Sequence, residues 1–399
     1  MTQSYHMENF FHRHAYLIEH TDASVTRALM NEIDWSHRLI GIKGPRGVGK
    51  TTFLLQYIKL NFNPQFQRCL YINMSSFYFQ GCSLVKFAEE FVKRGGKVLV
   101  IDQIYKQEGW CDMICECYHK FPQLQIIYST TTVERPNSEQ HEINQISKCY
   151  YLHGFSLREY INQQIRENLP RVSMEDILYN TEQVQKSILM KVRPWNFLQN
   201  YLHHGYYPIY KDSRNFTEQL LKNLNAMLEV DILFIKQIDV KYLTRLKQLL
   251  YLLAVNQNVS PNVSNLAQAI NTSRATVMNY MNNLEEARLI HQIYKAGSTV
   301  PKKPSRILMH NTNLLFGVLN EAPSEQEVME TFFTNSIWRH HTIEACKKPG
   351  IFILDKEKKI CVCNKNEKRR KDSDLTYVRY NTEVARNNDI PIWMFGFRF

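Results

Sequence analysis

Apolar and polar positions follow two periods over the first 160 residues. Short apolar runs at 38–43, 66–73, 98–102 and 124–128 have the length of buried strands. Segments of helical spacing lie between them. Residues 51–60 carry apolar positions three and four apart. Residues 83–94 are amphipathic and stop at Gly95-Gly96, a helix-ending signal, and 110–119 are again helical. Strands alternating with helices predict an α/β domain over residues 1–160, with a parallel sheet covered on both faces. Ligands of such sheets bind beyond the carboxyl ends of the strands.

Residues 161–310 read as mostly helical. The stretch 228–255 is rich in Leu, Ile and Val at helical spacing. After it come a short helix at 263–270, a turn at Asn271-Thr272, and a second helix capped by Ser273 and running to about residue 288. A strand at 289–294, a turn at Gly297, Lys302-Lys303 and a strand at 306–309 complete the order. This predicts a winged helix-turn-helix over about 256–310, with Leu266, Ile270, Val277, Met281 and Leu284 as its core. In a DNA-binding version Ser273, Arg274, Thr276 and Asn279 approach the groove. The same module also serves elsewhere as a lid or packing element. Residues 311–399 predict a small α/β domain, with strands at 351–354, 359–363, 375–379 and 391–395 and helices at 326–345 and 381–387.

Composition adds bounds. A chain of 399 residues, 44% hydrophobic and 22% charged, is an ordinary globular protein of two or three domains. The longest apolar stretch, 249–255, is far short of the roughly 18 residues needed to span a bilayer. No N-terminal segment resembles a signal peptide. A soluble, cytoplasmic protein without membrane partners is expected, its nine cysteines being free thiols. Cys111, Cys115 and His119 could share one helix face, and Cys361 and Cys363 one strand face. Neither set has the ligand number or loop setting of a zinc site. A net charge of +11 points to an acidic partner, with nucleic acid the first candidate and a solvated basic surface the alternative. The excess is concentrated between Lys347 and Lys371, where ten Lys or Arg face three acids.

The chemistry gathers at two strand ends. Gly44-Pro45-Arg46-Gly47-Val48-Gly49-Lys50-Thr51 has the spacing G-x-x-x-x-G-K-[ST] between a predicted strand and a predicted helix. In this pattern glycines let backbone N–H groups face phosphates, the Lys reaches the β and γ phosphates, and the Thr hydroxyl coordinates Mg²⁺. With Thr52, these residues form the expected site for ATP. Asp102 ends the strand 98–102, placed to orient Mg²⁺ through its water shell. Gln103 follows it. Many ATPases carry Glu there as the group that activates water, and Gln cannot take a proton at neutral pH. Ser129, at the tip of its strand, is the candidate γ-phosphate sensor, with an ordinary turn residue as the alternative.

The order of these motifs resembles a group of prokaryotic AAA+ ATPases. They have an N-terminal P-loop domain, a winged helix, and a C-terminal domain related to the PD-(D/E)XK nuclease fold. The resemblance rests on residues 41–52, 95–102, Trp110, 153–160, 205–208, 311–315 and 390–397, which span nearly the whole chain. Arg158-Glu159 and 391–397 are its more specific parts. The resemblance implies ATP and Mg²⁺ as ligands and a nuclease-like domain over 311–399. Arg158 becomes the candidate to contact nucleotide or a neighbouring subunit, so a homo-oligomer or a homologous partner subunit is an expected partner. The departures matter equally. The family usually has Glu at position 103 and a Thr-Gly-Ser-like turn at 129–132. Paired arginines usually stand where this chain has Asn144 to Lys148. A Glu-x-Lys that would hold Mg²⁺ is replaced around Cys361-Val362-Cys363-Asn364-Lys365, which offers Lys365 and no acid. The nuclease-like domain is therefore expected to be catalytically degenerate.

The expectation is an ATP-binding protein acting as a slow or non-hydrolysing switch. DNA is a candidate partner through the winged helix and the basic cluster. Two rivals stay open. One is a working ATPase drawing its acid from Glu108, Glu134 or a neighbouring subunit. The other is a DNA-binding module whose P-loop is only structural.

Overall fold

The computed structural model describes residues 2–62, 67–133, 141–211, 215–257, 260–297, 303–346, 348, 350–370, 374–384 and 388–399. Lys302, Lys347, Lys371 and Glu134 lie outside the described residues. The chain divides into two compact units, Met1–His153 and Gly154–Phe399.

The first unit is built on a sheet of five parallel strands: β1 (Leu39–Lys43), β2 (Cys69–Asn73), β3 (Val98–Asp102), β4 (Gln125–Thr130) and β5 (Lys148–Tyr151). Their order is β2-β3-β4-β1-β5. The central strands are apolar on both faces because helices cover both. Ile40, Ile42, Leu99, Val100, Ile101, Ile126 and Ile127 are all fully buried. The longer helices are α1 (Thr2–Glu19), α2 (Lys50–Asn61), α3 (Leu84–Lys93) and α4 (Trp110–Lys120). The predicted strands and helices of this unit all form, with ends shifted by a few residues.

Helix α1 has no counterpart among the predicted elements. It covers β2, an edge strand, with Met7, His14 and Ile18 buried. The Tyr71 N–H on that edge donates to His14 Nδ1 at 3.0 Å. This satisfies a backbone donor that the sheet leaves unpaired. Burial lowers the His14 pKa to about 4. The unfolded chain takes up this proton below about pH 6.5, while the folded chain resists it. The stabilisation is thus complete above pH 6.5 and is lost as pH falls through about 4, a loss of about 3 kcal/mol from this one group. His14→Asn, whose Oδ1 can still accept from Tyr71, should unfold in urea with a flatter dependence between pH 7 and 4.5. An equally steep dependence would show that other groups dominate.

In the second unit, seven strands form one mixed sheet: β6 (Ile290–Lys295), β7 (Arg306–Met309), β8 (Ile343–Ala345), β9 (Ile351–Leu354), β10 (Lys358–Asn364), β11 (Leu375–Tyr380) and β12 (Ile390–Pro391). The order is β12-β11-β10-β9-β8-β6-β7. The expected boundary at residue 310 therefore falls inside a continuous sheet. Strand β6 pairs antiparallel with β7 and, further along, parallel with β8. Ahead of these strands stand α5 (Leu157–Ile165), α6 (Phe216–Ala226), α7 (Leu243–Val255), α8 (Val263–Ala269) and α9 (Arg274–Glu286). Helices α10 (Thr312–Val318) and α11 (Glu325–Ile337) follow β7.

The helical stretch 228–255 breaks at Gln237, whose φ is 55°, and restarts where the Asp239 carboxylate accepts from the Lys241 N–H. Three sequence expectations fail here for identifiable reasons. Of residues 391–395 only Pro391 is in a strand, β12; the rest belong to a 3₁₀ helix, Ile392–Phe397, buried on every side. A uniformly apolar run has no period to separate the two. The helix expected to reach residue 345 stops at Ile337, and Ile343–Ala345 joins the sheet. Residues 381–384 of the helix expected at 381–387 are not helical, with Asn381 in the left-handed region at φ 61°; residues 385–387 lie outside the described residues.

Candidate nucleotide and metal site

The loop after β1 turns into α2 through two glycines with positive φ, Gly47 at 85° and Gly49 at 92°. Gly44 is needed for a different reason: a Cβ there would lie 2.3 Å from the Leu152 carbonyl oxygen. The loop is tied down from below. Val48 is fully buried, and the buried Arg27 donates to the Val48 carbonyl at 3.2 Å and to the His153 carbonyl at 2.7 Å. Arg27 was missed in the sequence, because its role depends on two carbonyls far away along the chain. Lys50 opens α2, and its ammonium donates to the Gly44 and Pro45 carbonyls at 2.6 and 2.9 Å. Arg46 reaches the Tyr105 hydroxyl at 3.2 Å, while Thr52 is exposed. The loop, the lysine and the helix N-terminus make a cradle with the charge and N–H donors that suit phosphate.

Strand order brings the second half of the site to this loop. Strand β4 lies between β1 and β3, and Ser129 pairs in register with Ile42. Asp102, fully buried at the end of β3, is the hub. Its Oδ2 accepts from Thr51 Oγ1 at 2.6 Å, Tyr71 Oη at 2.8 Å and Asn73 Nδ2 at 3.2 Å. Its Oδ1 accepts from Ser129 Oγ. Four donors converging on a buried carboxylate hold it in a fixed orientation. Thr51 and Asp102 are hard oxygen donors of the kind Mg²⁺ takes, directly or through water. The residues present therefore fit a nucleotide phosphate chain with its metal.

Ser129 is fully buried rather than open to the cradle. Besides donating to Asp102, it accepts from the Gln103 N–H at 2.8 Å. It clamps the turn after β3, and both of its hydrogen-bonding roles are taken. Gln103 sits in the left-handed region at φ 56°. Its Oε1 accepts from Ser75 Oγ at 3.2 Å, and Lys106 Nζ donates to the same Ser75 oxygen at 2.7 Å. Glu108 is exposed on the turn leading to α4.

Other singled-out residues go elsewhere. Arg158 belongs to the second unit and is buried. Its guanidinium donates to the Phe399 carbonyl at 2.6 Å and the Leu169 carbonyl at 2.9 Å, so it packs its own unit together and is not an exposed arm. His119 meets Glu142 at 2.7 Å, and among the described residues no cluster of His, Cys, Asp and Glu is arranged to hold a metal ion. On α9, Ser273, Arg274 and Asn279 are exposed and Thr276 is half-buried, its N–H donating to Ser273 Oγ at 3.1 Å. Ile270, Val277, Met281 and Leu284 are buried beneath them, whereas Leu266 is only half-buried. In the basic cluster, Arg369 pairs with Asp389 and Arg370 with Glu367, so part of its charge is met locally. No helix among the described residues is long and apolar enough to cross a membrane.

A five-stranded parallel sheet carrying a phosphate loop and a buried strand-end aspartate defines a nucleotide-binding P-loop domain. Residues 36–161 match the family model described as AAA domain, which makes this an AAA-type domain. Residues 196–320 match a second model, described as a domain of unknown function (DUF8612). A curated relative, an uncharacterized protein of Methanocaldococcus jannaschii, is 23% identical over 280 residues, covering 65% of this chain. The match spans 57% of that relative's own length. Among solved structures, PCH-2 of C. elegans overlaps 70% of this chain and 66% of its own, at 14% identity and a TM-score of 0.24. AMPPCP-bound DnaA from Aquifex aeolicus overlaps 64% of this chain and 84% of its own, at 15% identity and a TM-score of 0.25. Scores this low define no shared fold over the whole chain.

Proposed function

We propose that the chain binds ATP·Mg²⁺ in the cradle of residues 44–52 and acts as a slow or non-hydrolysing switch. The observation that carries this reading is the pairing of a complete Lys50–Thr51–Asp102 constellation with Gln103 where a water-activating Glu would stand. Lys50 neutralises phosphate charge. Thr51 and Asp102 hold the metal, which supplies further charge neutralisation when bound. Gln103 can orient a water through its amide but cannot take the water's proton, and loss of a general base typically costs about 10²–10⁴-fold in rate. Single-turnover hydrolysis with excess protein tests this. Binding without product on the timescale of minutes is expected; release of phosphate within seconds would replace the switch with an ordinary ATPase.

A DNA-associated role is supported by one specific observation, the exposed N-terminal face of α9 above its buried apolar side. In this reading residues 256–310 form a winged helix, and 311–399 form a nuclease-like domain that does not cut. Lys303, Arg274 and the cluster at 368–370 supply phosphate contacts. Duplex affinity should then fall steeply with salt, by a slope of roughly −0.9 per phosphate neutralised. Arg274→Ala should alter sequence preference if α9 enters the major groove, whereas Lys303→Ala should weaken all sequences alike. Titrating labelled duplex at two salt concentrations, with and without ATP, checks both. Affinity weaker than about 10⁻⁴ M at physiological salt would leave these helices as a packing module.

A further inference from the structure

The Asp102 carboxylate is held from outside the phosphate loop as well as from within it. Thr51 Oγ1 has one proton and two lone pairs. The proton goes to Asp102 Oδ2, so the position of that oxygen decides where the Thr51 lone pairs point. That position depends on rotation about the Asp102 Cβ–Cγ bond, a broad torsion that sets no angle by itself. Ser129 restrains Oδ1 from the β4 side. Tyr71 restrains Oδ2 from the β2 side, with its phenol 2.8 Å away.

Tyr71 is itself well held. It is only 5% exposed. Its backbone N–H, on the open edge of the sheet, donates to His14 of α1 at 3.0 Å. The path from α1 to the metal site therefore consists of three hydrogen bonds: Tyr71 N–H to His14, Tyr71 Oη to Asp102, and Thr51 Oγ1 to Asp102.

We propose that Tyr71 is a positioning residue of the Mg²⁺ site: its phenol sets the twist of the Asp102 carboxylate and so the direction in which Thr51 meets the metal, with His14 of α1 holding Tyr71 in place. The inference rests on the reading of the cradle as an ATP·Mg²⁺ site. It makes α1 a part of that site, although α1 reaches the metal only through β2.

Tyr71→Phe keeps the buried ring and removes the donor. Binding of a fluorescent ATP analogue is titrated with Mg²⁺ and, separately, in EDTA. The Mg²⁺ concentration for half-maximal binding should rise about tenfold, the lower end of what loss of an outer partner costs a metal site. Affinity in EDTA should stay within about twofold, a split that general destabilisation would not produce. His14→Ala should reproduce part of the Mg²⁺ shift, and His14→Asn should restore the parental value. An unchanged Mg²⁺ requirement in Tyr71→Phe would overturn the inference alone, as would equal losses with Mg²⁺ and in EDTA. A parent chain that binds no analogue in either condition would overturn the nucleotide reading and this inference with it.

Discussion

Lys50→Ala should abolish most of the rise in melting temperature that ATP·Mg²⁺ gives the parent chain. A ligand that binds only the folded state stabilises it by RT ln(1 + [L]/Kd), about 2.7 kcal/mol at a hundredfold excess. For a unit of this size that is a shift of about 5–10 °C. The Lys50 ammonium is held over the loop by the Gly44 and Pro45 carbonyls, so its charge is already in place before any phosphate arrives. Alanine removes that charge and leaves two carbonyls that water can satisfy. The melting temperature without nucleotide should therefore change much less than the ligand-induced shift. Scanning calorimetry with and without ATP·Mg²⁺ separates the two effects. A full shift in the variant would place the nucleotide elsewhere.

Gln103→Glu should accelerate hydrolysis at least tenfold over the parent chain. The new carboxylate would stand at the end of β3, next to the buried Asp102, with its backbone pinned by Ser129 at 2.8 Å. Ser75, 3.2 Å from the present amide oxygen, can donate to a carboxylate as it does to the amide. Glu is close to Gln in shape, so the substitution adds a base with little repacking. Steady-state phosphate release under saturating ATP is the measurement. No gain would mean that a second deficit limits the rate, and the stretch from Asn144 to Lys148, where paired arginines would be expected, is the first place to look. Fast turnover by the parent chain would remove the premise.

The two halves of the site differ in how they could be read. The phosphate loop is local: Gly44, Gly47, Gly49, Lys50 and Thr51 lie within eight positions, and each is there for a backbone or charge reason that spacing alone exposes. Asp102 was legible because an apolar run ended in an acid. Two of its four partners were not. Tyr71 and Asn73 look like ordinary strand residues until β2 pairs with β3 and puts Asn73 in register with Asp102. Arg27 and His14 act through single contacts with backbone groups many residues away, and no pattern along the chain encodes such contacts. At Ser129 the strand-end position left a phosphate sensor and a turn residue both open, and the fold shows its hydroxyl bonded to Asp102 and the Gln103 N–H.

The same division runs through the second unit. Helices α8 and α9 were legible from apolar positions three and four apart, and α9 also from its cap, Ser273. The extent of the sheet was not. Strand β6 is long enough to pair with β7 over residues 290–293 and with β8 over residues 294–295, and sheet pairing is a property of edges in space. By itself the sequence determined the parallel α/β character of the first 160 residues, the phosphate loop and the strand-end acid Asp102 followed by Gln103, because each depends on neighbours close along the chain. The tertiary structure alone decided how Asp102 is held, which residues brace the loop, and where β6 finds its second partner. Those depend on hydrogen bonds whose two ends are brought together only by folding.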